Sequence, residues 1–299
     1  MNHRFLSFSQ DNREKNQYTN MVRKLTFYFT QIDLYILFRY NNCMTTKLEA
    51  YYNKFNEEKR LLSRHGQVEY VITMKYIHKY LENMNSPSII EVGAGTGRYC
   101  VALANEGYDV SAVELVKSNL GTLKAKKSSV KAYQGNALDL HRFQDEMFDV
   151  TLVLGPLYHL KTLNEQVMAL KEAKRITKKN GVIMVAYVMN DYSVIQHAFM
   201  DGFLQQSLDV LDNTFKIDDP NDLYNRVRLD NINDLNSKSG LERIQIIAVD
   251  GPTDYLRPVI NKMSEEDFQI FIQYVESICE REELMGASSH TLDILRKKE

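Results

Sequence analysis

Five short apolar runs, "SIIEV", "DVSAVEL", "SVKAYQ", "MFDVTLVLG" and "GVIMVAYVM", recur between residues 88 and 189, most of them separated by stretches with helical spacing. No other feature restricts the fold as much. A strand apolar along its whole length needs cover on both faces, and strands alternating with helices of this length build a parallel sheet with helices on both sides. Ahead of the first run, "GQVEYVITMKYIHKYL" sets Val68, Val71, Met74, Ile77 and Leu81 on one stripe, the pattern of an amphipathic helix. "GRYCVALANEGY" reads as a helix ending near Gly107. Thr162 and Glu165 form a T-x-x-E capping box. It opens a helix expected to run to "KKNG", with basic residues in the last turn and Gly181 just past it.

Beyond residue 189 the rhythm changes. "DYSVIQHAFMDGFLQQSLDVLD" carries Ile195, Phe199 and Phe203 four apart, which predicts an amphipathic helix inserted before the pattern resumes. "NINDLNSKSG" reads as a helix and "LERIQIIAV" as a strand. Ser264 and Asp267 cap a long helix with Phe268, Phe271, Ile272, Val275 and Ile278 on one face, and "SHTLDILRK" is a last strand. No internal repeat or linker divides this region.

The first 43 residues stand apart. "LTFYFTQIDLYILFRY" (Leu25 to Tyr40) is interrupted by Gln31 and Asp33 and is too short and polar to span a bilayer well. The residues before it are too polar for a signal peptide. Residues 1–43 hold six basic residues (Arg4, Arg13, Lys15, Arg23, Lys24, Arg39) against three acidic ones (Asp11, Glu14, Asp33), enough for a weak surface anchor. "MTTKLEAYYNKF", from Met44, reads like a natural start, so residues 1–43 are expected to be dispensable and residues 44–299 to form the working domain.

Composition narrows the function classes. The 299 residues are 44% hydrophobic and 25% charged with a net charge of −2. That is ordinary soluble globular composition, with no global field to draw nucleic acid or an anionic membrane. Cys43, Cys100 and Cys279 have no C-x-x-C or Cys/His spacing, which argues against a disulfide scaffold or zinc site and suits a reducing cytoplasm. Cys100 reads as a small buried hydrophobe on a helix. "LKAKKSSVK" and "KRITKKN" fall at helix C-termini, where they complement the helix dipole. No Asp/Asn/His cluster suggests a catalytic metal.

"IIEVGAGTGRYC" puts three glycines, Gly93, Gly95 and Gly97, between the first strand and a helix. In open α/β sheets ligands sit beyond the carboxyl ends of the strands. A dinucleotide fingerprint, G-x-G-x-x-G, would need glycine at residue 98, and that residue is Arg98.

The pattern E-x-G-x-G-x-G at the end of a first strand resembles motif I of the class I S-adenosylmethionine-dependent methyltransferases, and the resemblance can be followed from residue 66 to 189. It implies a Rossmann-like sheet of seven mostly parallel strands, the last antiparallel and inserted beside the fifth, with helices on both faces. It also implies a helical lid insert near residues 191–230, while the long helix between the last two strands reads as a helical insert, near 251–287, that decorates the family's closing pair. S-adenosylmethionine is the implied cofactor, with Glu91, Gly93, Ala94, Gly95 and Gly97 against its methionine part and Glu114 on its ribose hydroxyls. Asn136, where the family often has Asp, and Ala137 would meet the adenine, and Leu154 and Gly155 close the site. "GPLYHL" resembles a segment of small-molecule methyltransferases whose Tyr and His lie near the transferred methyl. Tyr158 and His159 are thereby the catalytic candidates, His159 being the nearest base by sequence. Tyr51 and Tyr52 read as core or as cover for the cofactor.

The reaction expected is methyl transfer to a small-molecule acceptor by in-line displacement, in a cytoplasmic monomer or homodimer without nucleic-acid or membrane partners. Three alternatives stand beside it: a methyltransferase acting on RNA or protein, a non-catalytic S-adenosylmethionine-binding protein, and a nicotinamide enzyme, which Arg98 disfavours.

Overall fold

The computed structural model describes residues 47–52 and 63–297; residues 1–43, expected to be dispensable, lie outside them. The chain divides into two units, residues 1–50 and 51–299. Of the first, residues 47–50 are described and belong to helix α1 (Lys47–Tyr52).

The second unit is built on one sheet. Helix α2 (Arg64–Leu81) leads into strand β1 (Ser88–Val92), helix α3 (Arg98–Asn105), strand β2 (Asp109–Glu114), helix α4 (Lys117–Ala125) and strand β3 (Lys131–Gln134). Strand β4 (Phe148–Val153), helix α5 (Leu163–Ile176) and strand β5 (Thr177–Met189) follow, then the two-residue strand β6 (Arg226–Val227) and helix α6 (Leu229–Ser239). Strand β7 (Leu241–Ala248), helix α7 (Glu265–Ile278) and strand β8 (His290–Lys297) complete it. The order is β3-β2-β1-β4-β5-β8-β7, with β6 paired parallel to β5. β1 to β5 are parallel, and β8 runs antiparallel between β5 and β7. The expected seven-stranded Rossmann-like architecture is present, with β6 as a short eighth strand.

Side-chain alternation explains why the strands look apolar throughout. Ile89, Val182 and Met184 enter a core with α2, α3 and α7 on one face, while Ile90, Ile183, Val185 and Tyr187 enter a second core with α5 and α6 on the other. Successive residues of a strand point to opposite faces, so a doubly covered strand is apolar at every position.

Two local expectations fail. α5 opens at the Thr162–Glu165 capping box but ends at Ile176, ahead of "KKNG". Thr177 Oγ1 donates to the Ala173 carbonyl at 2.6 Å, which satisfies a terminal helix carbonyl as the chain turns directly into β5. Lys178 to Gly181 then lie within β5, where its register with β4 jumps from Phe148↔Thr177 to Val150↔Val182. Gly181 is therefore no helix cap: a Cβ there would lie 2.7 Å from the Asp149 carbonyl oxygen and 2.6 Å from Thr177 Cγ2. Its glycine is required by close backbone packing in the bulge.

The insert after β5 is also not one amphipathic helix. It runs as a short helical turn (Asn190–Ser193), a π-helical segment (Val194–Met200), a second turn (Leu204–Ser207) and a bridge joining Leu211 to Ile217. Ile195, Phe199 and Phe203 are exposed, and the helical run breaks at Asp201 and Gly202 before Phe203, so their spacing marks no buried stripe. No helix among the described residues is long and apolar enough to cross a membrane.

Candidate functional site

The glycine loop is fastened to β2. Gly93 and Ala94 both donate to the Val113 carbonyl, at 2.8 and 3.0 Å, and Gly97 N–H donates back to Ala94. Gly93, Gly95 and Gly97 all have positive φ, 76°, 54° and 86°, a region that favours glycine. Their side-chain space differs sharply. A Cβ on Gly93 would lie 2.5 Å from Pro156 Cγ, and one on Gly97 would lie 2.1 Å from Leu123 Cδ1, whereas a Cβ on Gly95 meets nothing within 4 Å. Two of the glycines thus serve packing, and Gly95 alone faces open room.

Glu114 closes β2 beneath this loop. It is buried, and its carboxylate accepts from Gly95 N–H and Val116 N–H, each at 2.8 Å; burial raises its pKa against these bonds. Gly135 N–H donates to the Glu114 carbonyl at 3.1 Å, which ties the end of β3 to the end of β2. Asn136 follows immediately, exposed, with Oδ1 accepting from Leu138 N–H at 3.0 Å, and Ala137 is buried beside it. Thr96 Oγ1 in the loop is buried without a hydrogen-bond partner among the described residues.

Glu91 faces inward. Its carboxylate accepts from Cys100 N–H at 2.9 Å, which satisfies an amide in the first turn of α3. Burial is the main reason its pKa is pushed up to about 7.

After β4, Leu154 and Gly155 lead into a 3-10 turn, Pro156–His159. Gln166, buried on α5, donates to the carbonyls of Leu157 and Leu160 at 3.1 and 3.2 Å and so holds the turn. Tyr158 donates to the Leu154 carbonyl at 3.2 Å and stacks on Tyr224, with ring centroids 5.9 Å apart. His159 is gripped at both ring nitrogens. Nδ1 lies 3.1 Å from the Leu223 carbonyl oxygen and Nε2 lies 2.9 Å from Tyr52 Oη. A carbonyl only accepts, so Nδ1 carries the proton and Nε2 accepts from the tyrosine. Burial pushes His159 down to about 4.

The structure thus brings Gly93, Ala94, Gly95, Gly97, Glu114, Leu154, Gly155, Tyr158 and His159 to the carboxyl edge of the parallel strands, with Asn136 and Ala137 at the end of β3. It also assembles a group that sequence reasoning missed. Glu69 of α2, Asp250 just past β7 and His290 at the start of β8 have ligand atoms within 4.8 Å of one another. Asp250 accepts from His290 Nδ1 at 2.7 Å and from His290 N–H at 2.9 Å. The signal was in the topology: an antiparallel strand inserted beside β5 brings its first residue to β5's carboxyl end, and His290 pairs with Val188.

Residues 90–185 match the family described as Methyltransferase domain. The chain carries a methyltransferase domain. It is 25% identical over 126 residues to the ubiquinone biosynthesis O-methyltransferase of Rickettsia typhi, covering 42% of this chain and 49% of that protein. It is 34% identical over 99 residues to the demethylmenaquinone methyltransferase of Renibacterium salmoninarum, covering 33% and 40%. The chain spans about half the length of the curated relatives it matches. A SAM-dependent methyltransferase from Thermotoga maritima shares the fold at 20% identity and a TM-score of 0.52, with 81% of this chain and 96% of that one covered. The domain and its class I fold imply S-adenosylmethionine as cofactor. The methyltransferase domain's own residues fit such a group: there is open room at Gly95, a buried carboxylate beneath the loop, and a hydroxyl at Thr96 awaiting a partner.

Proposed function

We propose that this protein transfers the methyl group of S-adenosylmethionine to a hydroxyl on a small aromatic acceptor. The observation that carries the reading is the side-chain-free room at Gly95 above the Glu114 carboxylate, at the strand edge where α/β sheets bind ligands. The Glu114 carboxylate accepts from Gly95 and Val116 N–H, with the Asn119 side chain and Leu115 N–H also bonding to it, and ribose hydroxyls would join or replace some of these donors. Asn136 serves the adenine amine in the same way, and the Gly93–Gly97 backbone admits the methionine part. Glu91, turned inward, supports the loop through α3.

When bound, the cofactor supplies a methyl group activated by the positive charge on its sulfur. The protein's task is positioning, which in well-oriented reactions supplies on the order of 7–11 kcal/mol. Tyr51, Tyr52, Tyr158, His159 and Tyr224 form one connected aromatic group beside Gly155, suited to a planar ring. The segment from 190 to 227 is the lid over it, and Phe199, Met200 and Phe203, exposed there, suit an apolar acceptor. The names of the two curated relatives, which concern ubiquinone biosynthesis and demethylmenaquinone, favour an aromatic acceptor of the quinol kind.

Calorimetry with S-adenosylmethionine, S-adenosylhomocysteine and NADH tests the cofactor: the first two are expected to bind in the micromolar range and NADH not at all. Formation of S-adenosylhomocysteine with catechols and hydroquinones then tests the acceptor. Cofactor binding with no turnover on any phenol would overturn the acceptor class.

A further inference from the structure

We propose that the cavity under the β3–β4 connection, at the amino ends of the strands, binds a one-ring aromatic carboxylate, a ligand separate from the cofactor and the acceptor. The chain itself explains why the sheet is open there. α3 and α4 link β1, β2 and β3 in turn, and α5 links β4 to β5, but residues 135–147 join β3 to β4 without a helix. Side chains of this connection meet the sheet instead: the Phe143 ring lies 5.7 Å from Tyr133 and 5.4 Å from Phe148. The register sets Ser111 beside Lys131, and alternation puts Asp109 and Ser111 on one face of β2 and Lys131 and Tyr133 on the same face of β3. Together with Arg142, Phe143 and Phe148 they line a cavity of about 170 Å³.

Two donors in this cavity lack an acceptor. Ser111 is 5% exposed, and its Oγ makes no hydrogen bond among the described residues, a costly state for a buried hydroxyl. The Arg142 guanidinium lies over the Tyr133 ring, 4.9 Å from its centroid, and likewise makes no hydrogen bond or ion pair among the described residues. Lys131 pairs with Asp109 at 2.7 Å. The lining thus carries two cations, Lys131 and Arg142, against one carboxylate, Asp109, and its excess charge is positive. A carboxylate answers that charge, supplies the acceptors that Ser111 and Arg142 lack, and is taken by arginine through paired N–H···O bonds. Phe143 and Phe148 are buried and form an apolar aromatic wall, which suits a ring. The volume admits one ring, since a cavity of about 150 Å³ holds benzene. A ring on that wall leaves its carboxylate toward Arg142, which is exposed.

The cavity is fixed in place and stands apart from the glycine loop. Arg175 on α5 donates to the carbonyls of Phe143 and Leu140 at 2.9 and 3.0 Å and pairs with Asp145 at 2.8 Å, which holds the connection over the strands. Gly93, Gly95 and Gly97 follow the carboxyl end of β1, and Glu114 closes the carboxyl end of β2, whereas Asp109 opens β2 and Lys131 opens β3.

Calorimetry on the full-length protein with benzoate, benzamide, acetate and inorganic phosphate tests the proposal. Benzoate is expected to bind with a Kd below about 1 mM. Benzamide lacks the charge and acetate the ring, so each should bind at least about tenfold more weakly, and phosphate no better than acetate. Arg142→Gln should weaken benzoate about tenfold or more, and Ser111→Ala about threefold to tenfold. The denaturant midpoint of Ser111→Ala should not fall, because the hydroxyl it removes is unpaired. Amide nitrogen-15 spectra locate the ligand: benzoate should shift Ser111, Lys131 and Arg142 and leave Gly93, Gly95 and Gly97 in place. No benzoate binding up to about 10 mM would overturn the proposal, as would undiminished affinity in Arg142→Gln. Phosphate binding as tightly as benzoate would show a simple anion site and overturn the aromatic class. Displacement of benzoate by S-adenosylmethionine, with shifts confined to the glycine loop, would place it at the cofactor edge and overturn the site. None of these readouts needs methyl transfer, so they stand or fall apart from the acceptor reading.

Discussion

Glu91 is buried and His159 part-buried in the site, and their linkage to stability has opposite sign. Glu91, pushed up to about 7 from 4.5 chiefly by burial, holds a proton in the folded chain that the unfolded chain releases, so the native state gains stability as pH falls from about 7 to 4.5. His159, pushed down to about 4 from 6.5 by burial, stays neutral where the unfolded imidazole is charged, so the native state loses stability as pH falls from 6.5 to about 4. Each displacement corresponds to about 3 kcal/mol. Urea midpoints should therefore be nearly level between pH 5 and 7 in wild type, fall on acidification in Glu91→Gln and rise on acidification in His159→Gln. Identical pH profiles for both variants would show that burial does not control these groups. The loop offers a second residue-scale contrast. Gly95→Arg should abolish cofactor binding while costing about 1–2 kcal/mol for the left-handed backbone. Gly97→Ala should destabilise more, by that strain plus about 1–3 kcal/mol of overpacking against Leu123. Calorimetry and denaturant unfolding distinguish the two.

At the scale of elements, the β4–β5 bulge and the insert departed from the pattern. The helix ended five residues before the glycine that looked like its cap, because Thr177 could both cap Ala173 and start a strand, and Gly181 answers to Asp149, a residue on another strand. Gly181→Ala is expected to lower the unfolding free energy by about 1–3 kcal/mol and leave cofactor affinity unchanged; an unchanged denaturant midpoint would show the bulge relaxes at no cost. The capping boxes and the glycine loop were legible because their partners lie a few residues apart. The π-helical insert was not, since the four-residue spacing of Ile195, Phe199 and Phe203 reads as one stripe although the helical run breaks at Asp201 and Gly202.

Across the whole molecule, the domain from Met44 onward is proposed to suffice: protein beginning at Met44 should stay soluble and bind S-adenosylmethionine as the full chain does, and an insoluble product would overturn this. EDTA is expected to leave methyl transfer unchanged, and loss of activity restored by added metal would assign Glu69, Asp250 and His290 as ligands. The strands, their order along the chain, the helices that cover them and the glycine loop were readable from residues 66 to 189, because hydrophobic periodicity and left-handed turns are set by neighbours in the chain. The grouping of side chains around the site was not. Glu69, Asp250 and His290 meet because β8 inserts between β5 and β7, and His159 loses its basicity chiefly to burial, against the opposing bond to the Leu223 carbonyl. Desolvation and hydrogen-bond pairing sum over residues far apart in sequence, so the elements belonged to the sequence and the chemistry of each histidine to the tertiary structure.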